Sequence, residues 1–352
     1  MNETATIASP MCWGNGAHVI HQQLEHALPG YRVLSYHPLW TLFPVCLPLV
    51  APIKRPSLVH STPDYAIFFA RRKIPLVVTF HNYVLDPFMQ RYSSKLQRIH
   101  YATTLRWFTR FAVKRADAVT AVSRFTASLV RSDLGYTGPL PVIYDGVDTD
   151  RFFPPRRSSF RRDGIRVLFC GNLTLRKGAP WLLPIARKLD KNIRIYYTTG
   201  LRTHRLLPSH SRLVPMGNVP HAEMPQRYQQ MDLLVMPTVR EGFGMAVAEA
   251  MACGLPVVAS HCSSIPELID DPQGGFLCPV GNADAFADRI NMLAASEKLR
   301  REMGDYNRDK VVREFALRKM VGEYERLFSI LQNRPKRGPA ESKRMSIPIL
   351  ME

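Results

Sequence analysis

An apolar run, Leu233-Leu234-Val235-Met236-Pro237, leads through Glu241-Gly242-Phe243-Gly244 into Met245-Ala246-Val247-Ala248-Glu249 and on to Gly254. A strand that turns on Gly-x-Gly into a helix is the repeating unit of an open α/β sheet, and it dictates the kind of ligand that fits there. The glycines let backbone approach a ligand, and the unpaired N–H groups of a helix start suit an anion. Glu241 and Glu249 bracket the turn, and carboxylates accept from hydroxyls. Phosphate for the amides and hydroxyls for the carboxylates together describe a phosphorylated sugar. Two blander readings also fit the residues: Glu241 as a first-turn dipole partner and Glu249 as a solvated helix residue.

The same unit recurs along the chain. A first strand is expected at Thr4–Ser9, then a loop with Gly14 and Gly16, a helix at Ala17–Leu28 and a strand at Tyr31–Tyr36. The loop lacks G-x-G-x-x-G, which argues against a dinucleotide. Ser57–His60 and Leu76–Phe80 read as parallel strands, and His81 just past the second lies where such sheets bind ligands. It is a site candidate or a structural histidine. Gln90–Arg115 reads as one long helical stretch, Ala116–Ser123 as a strand with Ser123 capping the next helix, and Val142–Asp148 as a last strand and turn.

The pattern restarts after a Pro/Arg/Ser-rich stretch. Strands are expected at Arg166–Cys170, Ile193–Tyr197, Arg212–Met216, Pro256–Ala259 and Gly275–Cys278, and a final helix at Arg318–Leu331. The sequence thus divides into 1–153, a linker at 154–163, a second domain at 164–332 whose final helix is free to pack back on the first, and a basic, disordered tail at 333–352. The fold class expected is α/β, two Rossmann-like domains facing each other across a cleft.

Length and charge narrow the function. With 352 residues the chain can bury two cores, and its net charge of +18 attracts nucleic acid, anionic lipid or phosphorylated ligands without choosing among them. The six cysteines show no zinc spacing, so they read as core residues of a reducing compartment. No signal peptide is expected, and Leu39–Pro52 is too short and proline-broken to span a membrane. In 90–115 cations alternate with Tyr92, Tyr101, Trp107, Phe108 and Phe111. This fits an interfacial helix on anionic membrane, or a core face backed by solvated charge. Arg202, His204 and Arg205 read as a solvated loop.

These residues resemble the retaining glycosyltransferases of family 4, with the GT-B fold. The likeness rests on EGFGMAVAEAMACGLPVVAS, on Gly171-Asn172-Leu173 running to Arg176-Lys177-Gly178, and on Ser263-Ser264-Ile265-Pro266-Glu267 ahead of Gly274-Gly275-Phe276. It implies that Lys177, with Arg176, neutralises the donor pyrophosphate. Amides of Phe243, Gly244 and Met245 contact sugar and phosphate, with Asn172 and Val219 among the donor-binding positions. Glu241 holds the transferred sugar, Glu249 the ribose, and His81 lies at the reacting centre. Gly14 and Gly16 let the first loop approach the phosphates. The catalytic set is then Glu241, His81 and Lys177.

The resemblance further implies sugar transfer from a UDP- or GDP-sugar to a hydroxyl of a glycan or lipid-linked acceptor, with retained configuration, no metal or other cofactor, and a cytoplasmic or membrane-peripheral position. Relatives often carry arginine where Asn172 stands and asparagine where Asp145 stands. A sugar-nucleotide epimerase of the same fold, or a nucleic-acid or membrane binder without enzymatic activity, are the competing classes.

Overall fold

The computed structural model describes residues 6–155, 164–200, 203 and 207–333. Most of the expected linker, nearly all of the basic tail, and Arg202, His204 and Arg205 lie outside the described residues. In chain order the elements are β1 (Ile7–Cys12), α1 (Gly16–Ala27), β2 (Tyr31–Tyr36), α2 (Leu47–Val50), β3 (Leu58–Ser61), α3 (Ala66–Phe69), β4 (Leu76–Phe80), α4 (Lys95–His100), α5 (Arg106–Arg115), β5 (Ala118–Ala121) and α6 (Arg124–Leu134). They continue with β6 (Ile165–Phe169), α7 (Ala179–Lys188), β7 (Ile193–Thr199), β8 (Leu213–Asn218), α8 (Met224–Gln229), β9 (Leu233–Met236) and α9 (Met245–Ala252). Last come β10 (Val257–Ser260), α10 (Ile265–Leu268), β11 (Gly275–Cys278), α11 (Ala283–Ala295), α12 (Glu297–Glu314) and α13 (Leu317–Gln332).

The chain forms two units. One takes the residues up to Gly146 together with those from Arg318 on, and the other is Val147–Leu317. The first is built on a parallel sheet of order β2-β1-β3-β4-β5. The second has a parallel sheet of order β11-β10-β9-β6-β7-β8. Strands β4, β9 and β10 are buried along their whole length, as the central strands of a sheet covered on both faces must be.

Strand order places the ligand positions. In the second unit the crossovers run one way from β6 through β7 to β8 and the other way from β9 through β10 to β11. The loops after β6 and β9 therefore leave adjacent strands in opposite directions, which opens a crevice at their carboxyl ends. Those loops carry Lys177 and Glu241. In the first unit the corresponding reversal lies between β1 and β3, and the loop after β1 carries Gly14.

Capping explains several helix starts. Asn15 accepts from the His18 N–H at the head of α1, and Ser123 accepts from Thr126 N–H at the head of α6. In the second unit Gly178 and Gly244 precede α7 and α9 with φ of +79° and +112°. At Gly178 a Cβ would fall inside the Pro237 carbonyl oxygen, so only glycine lets the β6 loop lie against the end of β9.

Three stretches differ from the sequence reading. Residues 90–115 are not one helix. A 3₁₀ turn at Pro87–Tyr92 ends before a capping box of Ser94 and Gln97 starts α4, and a π-type segment at Tyr101–Leu105 separates α4 from α5. In that segment Thr103 Oγ1 donates to the Ile99 carbonyl at 2.7 Å, diverting an acceptor from the helical ladder. Residues 142–148 make only two isolated bridges, Val142 to Ala121 and Val147 to Ala316, and Pro139 and Pro141 supply no N–H to extend the first into a ladder. β1 runs on to Cys12, three residues beyond its expected end at Ser9.

α13 belongs to the first unit. Its Met320, Tyr324, Leu327, Phe328 and Leu331 are buried at helical spacing. The Tyr324 hydroxyl lies 3.2 Å from Thr79 Oγ1 of β4, and Gln332 Nε2 donates to Ser57 Oγ at 2.7 Å.

Candidate active site

In the second unit the β6 and β9 loops bring three charged residues together. Lys177 Nζ donates to Glu241 Oε1 at 2.8 Å, and Arg176 Nη1 stands 3.6 Å from Glu241 Oε2. The Thr238 hydroxyl lies 2.9 Å from Oε1, and the Glu241 N–H donates to Ser263 Oγ at 2.9 Å. Ser263 has φ of +51°, a strained conformation for a residue with a Cβ, and it supports the acidic loop from the turn before α10. Burial alone would push the Glu241 carboxyl up, but the cations Lys177 and Arg176 outweigh it and hold it below the ordinary range. Glu241 is therefore a buried carboxylate, and Lys177 keeps 18% of its side chain exposed, ready to meet a second anion.

Glu249, on α9, forms a second group. Its Oε1 lies 3.0 Å from His221 Nε2, and its Oε2 accepts from the Tyr228 hydroxyl at 2.9 Å. Tyr228 is fully buried and its phenol is driven well up, by burial first and then by Cys170 and Glu249. His221 keeps 42% of its side chain exposed, so the Oε1 side of Glu249 is the one a ligand can reach. Cys170, at the end of β6, feels both groups. Burial and Glu249 push its thiol up to about 11, against a smaller downward pull from Lys177.

The remaining candidates of this unit frame the same crevice. Phe243 is buried edge-on against Phe315, so its side chain is core and its backbone is what the turn can offer. Met245 is the first residue of α9, where N–H groups have no intrahelical partner. Asn172 packs its amide over Gly200 in the loop after β7. Val219 follows β8 directly and is half-buried, two residues ahead of His221. Among the described residues no group of three His, Cys, Asp or Glu side chains is arranged to hold a metal ion.

In the first unit Gly14 has φ of +83° with open space where a Cβ would stand, whereas Gly16 opens α1 in helical conformation. Gly14 is thus the residue that the loop after β1 requires as glycine. His81 leaves β4 with 8% of its side chain exposed. Its Nε2 lies 3.1 Å from His21 Nε2, and its Nδ1 lies 3.3 Å from Asp145 Oδ1. The turn residue Asp145 is therefore a neighbour of His81.

Sequence reasoning passed over His21, His60, Tyr228, His221 and Thr238, and took Asp145 for a turn residue only. His21 sits on the apolar face of α1 beside Ile20 and Leu24, and His60 lies within the buried run of β3. A basic side chain on a core face was the available signal. Tyr228 and His221 gave none, since sheet order alone brings α8 to α9.

Known proteins share this architecture. The family model for "Glycosyltransferase Family 4" matches residues 11–151, and that for "Glycosyl transferases group 1" matches 164–296. N-acetyl-alpha-D-glucosaminyl L-malate synthase of Bacillus anthracis is 25% identical over 62% of this chain and 61% of its own length. A GDP-mannose-dependent alpha-(1-6)-phosphatidylinositol monomannoside mannosyltransferase of Mycolicibacterium smegmatis is 30% identical over 54% of this chain and 56% of its own. The matches thus span about three fifths of these curated relatives.

Among solved structures, sucrose-phosphate synthase from Thermosynechococcus elongatus superposes with a TM-score of 0.77 at 19% identity, covering 93% of this chain and 99% of that one. Anabaena HepE in complex with UDP and glucose gives 0.75 at 18%, covering 93% and 100%. The fold is GT-B. With its two halves matched by the two models, the chain belongs to the family 4, group 1 glycosyltransferases.

Proposed function

We propose that this chain moves a sugar from a nucleoside-diphosphate sugar to an acceptor hydroxyl with retention of configuration. The observation that carries this is the Lys177–Glu241–Arg176 cluster at the strand-order reversal of the second unit. A departing nucleoside diphosphate gains negative charge as the glycosidic bond breaks, and a fixed cation favours that state over the ground state. Lys177, helped by Arg176 and the start of α9, is placed to supply it. As Lys177 turns to phosphate, Glu241 Oε1 is freed to accept from sugar hydroxyls. Glu249 accepts from the ribose at Oε1, in place of His221.

His81 is the contribution of the first unit, beside the transferred sugar. Retention follows if the leaving phosphate takes the acceptor proton on the same face. No step in this scheme calls on a metal. UDP- and GDP-sugars are the donors of choice, since HepE was solved with UDP and the mycobacterial relative is named for GDP-mannose.

A thermal-shift series with UDP-, GDP-, ADP- and TDP-sugars, followed by nucleoside-diphosphate release, tests the proposal. Stabilisation by one base with slow hydrolysis of its sugar supports transfer. A chain that interconverts its donor without releasing the diphosphate is an epimerase.

A membrane-facing acceptor is favoured by one further observation. Residues 87–116 hold no carboxylate, and Leu96, Ile99, Trp107 and Phe111 point outward there, with Trp107 and Phe111 rings 5.6 Å apart. Phe108 instead turns inward onto Phe68. Leu42, Phe43, Val45 and Leu49, at and just before α2, are exposed as well, and α2 packs on α3 as α3 does on α5. Apolar side chains ringed by cations fit an anionic bilayer surface. No described helix is long and apolar enough to cross a membrane.

A further inference from the structure

Behind His81 the first unit buries a network of hydrogen-bonding side chains that runs through five strands and two helices. From His81 Nε2 it passes to His21 Nε2 at 3.1 Å. His21 Nδ1 meets both the Tyr31 hydroxyl and Ser9 Oγ at 2.7 Å. The Tyr31 hydroxyl also meets His60 Nδ1 at 2.7 Å, and His60 Nε2 meets Thr79 Oγ1 at 2.8 Å. Thr79 Oγ1 ends the chain at Thr120 Oγ1 and the Tyr324 hydroxyl, 2.7 and 3.2 Å away. Ser9, His21, His60, Thr79, Thr120 and Tyr324 are fully buried, so bulk water cannot substitute for the links among them.

Such a chain has a direction, because a neutral imidazole has one N–H and one bare nitrogen. At its outer end His81 Nδ1 faces Asp145 Oδ1 at 3.3 Å, too skewed for a direct hydrogen bond, and neither atom has another hydrogen-bond partner. A carboxylate oxygen only accepts, so a bare Nδ1 there would set lone pair against lone pair. The proton of His81 therefore sits on Nδ1, and Nε2 accepts from His21 Nε2–H. His21 Nδ1 then accepts from Tyr31 or Ser9, His60 Nδ1–H donates to the Tyr31 oxygen, and His60 Nε2 accepts from Thr79. Every proton is used once and no nitrogen is asked for two roles.

We propose that His21, backed by Tyr31 and His60, is a positioning residue for His81, fixing its proton on Nδ1 and holding Nε2 inward as an acceptor. Burial drives both His21 and His60 well below the ordinary imidazole range, which keeps the chain neutral as this direction requires. His81 Nε2 is then committed to His21, while Nδ1–H faces the Asp145 carboxylate. What His81 offers a ligand is its backbone and an oriented ring edge, and its Nε2 is no source of a proton for a leaving group. The link to catalysis rests on the reading of His81 as a group beside the transferred sugar; the tautomer does not.

Long-range proton–nitrogen correlation on the full chain labelled with ¹⁵N-histidine reads the tautomer without any turnover, the His81 signals being those lost in His81→Asn. The expected spectrum has His81 protonated at Nδ1, with Nε2 shifted as a hydrogen-bonded acceptor. A proton on Nε2 overturns the proposal, and since this is a wild-type measurement no variant has to fold for it. In His21→Leu the acceptor shift at Nε2 is lost, and release of nucleoside diphosphate from UDP-glucose or GDP-mannose slows about tenfold to a hundredfold, the cost of a loosened reacting geometry. His21→Gln, whose amide N–H reaches as His21 Nε2 does, restores both. Unchanged His81 signals in folded His21→Leu overturn the relay. Changed signals with unchanged turnover overturn its part in the reaction while leaving the donor chemistry standing.

Discussion

Lys177 Nζ lies 2.8 Å from Glu241 Oε1, so the cation proposed to receive the leaving group is held, before any ligand arrives, by the carboxylate proposed to receive the sugar. The pair spans the loops of two adjacent strands, β6 and β9. It keeps each group from having to desolvate alone, and a bound anion exchanges one partner for another.

Lys177→Ala tests this directly. Removing a cation that acts mainly in the transition state costs about two to three decades in turnover. The variant should keep its far-ultraviolet circular dichroism, with turnover measured as nucleoside-diphosphate release. Turnover within a few fold of wild type would reject Lys177 as the phosphate group.

The two glutamates should separate on binding. Glu249→Ala leaves Tyr228 and His221 without their acceptor and should weaken free UDP or GDP by about tenfold, the worth of one charge-assisted hydrogen bond. Glu241→Ala should change nucleotide affinity much less and turnover much more. Calorimetric titration of both variants checks it; equal affinity losses would refute the division.

Two glycines should respond differently. Alanine at Gly178 meets the Pro237 carbonyl and a positive φ together, and the unit must shift to accept it. Alanine at Gly14 has open space and carries only the backbone cost, about 1–2 kcal/mol. Thermal melts should show Gly178→Ala well below Gly14→Ala, and comparable melts would mean that the β6 loop is not pressed against β9.

Stability of the first unit should depend on pH through its buried histidines. Burial first, then neighbouring histidines, depress His21 and His60, with His18, His60 and His81 facing His21. Their folded values lie below the unfolded value of 6.5, so stability is complete above that pH. Below it acid protonates only the unfolded chain, and each histidine loses about 1.4 kcal/mol per pH unit. Asp64, which burial pushes up to about 6, works the other way: between 3.8 and that value the folded unit holds the extra proton. Urea unfolding should thus show stability falling from about pH 6 to pH 5, with the slope steepened by about one proton in Asp64→Asn. In a Trp181→Phe background the three other tryptophans all report on the first unit.

Trp107→Ser with Phe111→Ser should abolish low-salt sedimentation with anionic vesicles and leave hydrolysis of a soluble donor intact. Wild-type chain that stays in the supernatant at both low and high salt would remove the membrane reading.

Much of this was legible in residue order. The β-loop-α unit at 233–254 was legible, because strand, glycine turn and helix are local patterns, and the two glutamates are part of that unit. Ser123 was recognisable as a cap for the same reason. What escaped depends on partners far apart in the chain. Asp145 looked like turn chemistry because nothing nearby in sequence reveals that it faces His81, 64 positions earlier. Residues 90–115 looked like one helix because periodicity survives a π-type segment, whereas the capping box at Ser94 could have been read and was not.

The return of α13 to the first unit sets an order of events during synthesis. Tyr324 and Phe328 cover His60, with ring centroids 5.0 and 5.3 Å from it, yet they leave the ribosome after all of the second unit. The earliest-made sheet must therefore wait, with its polar interior uncovered, for nearly the last helix. Truncation just after Leu317 would spare the later-made half and undo the earlier one.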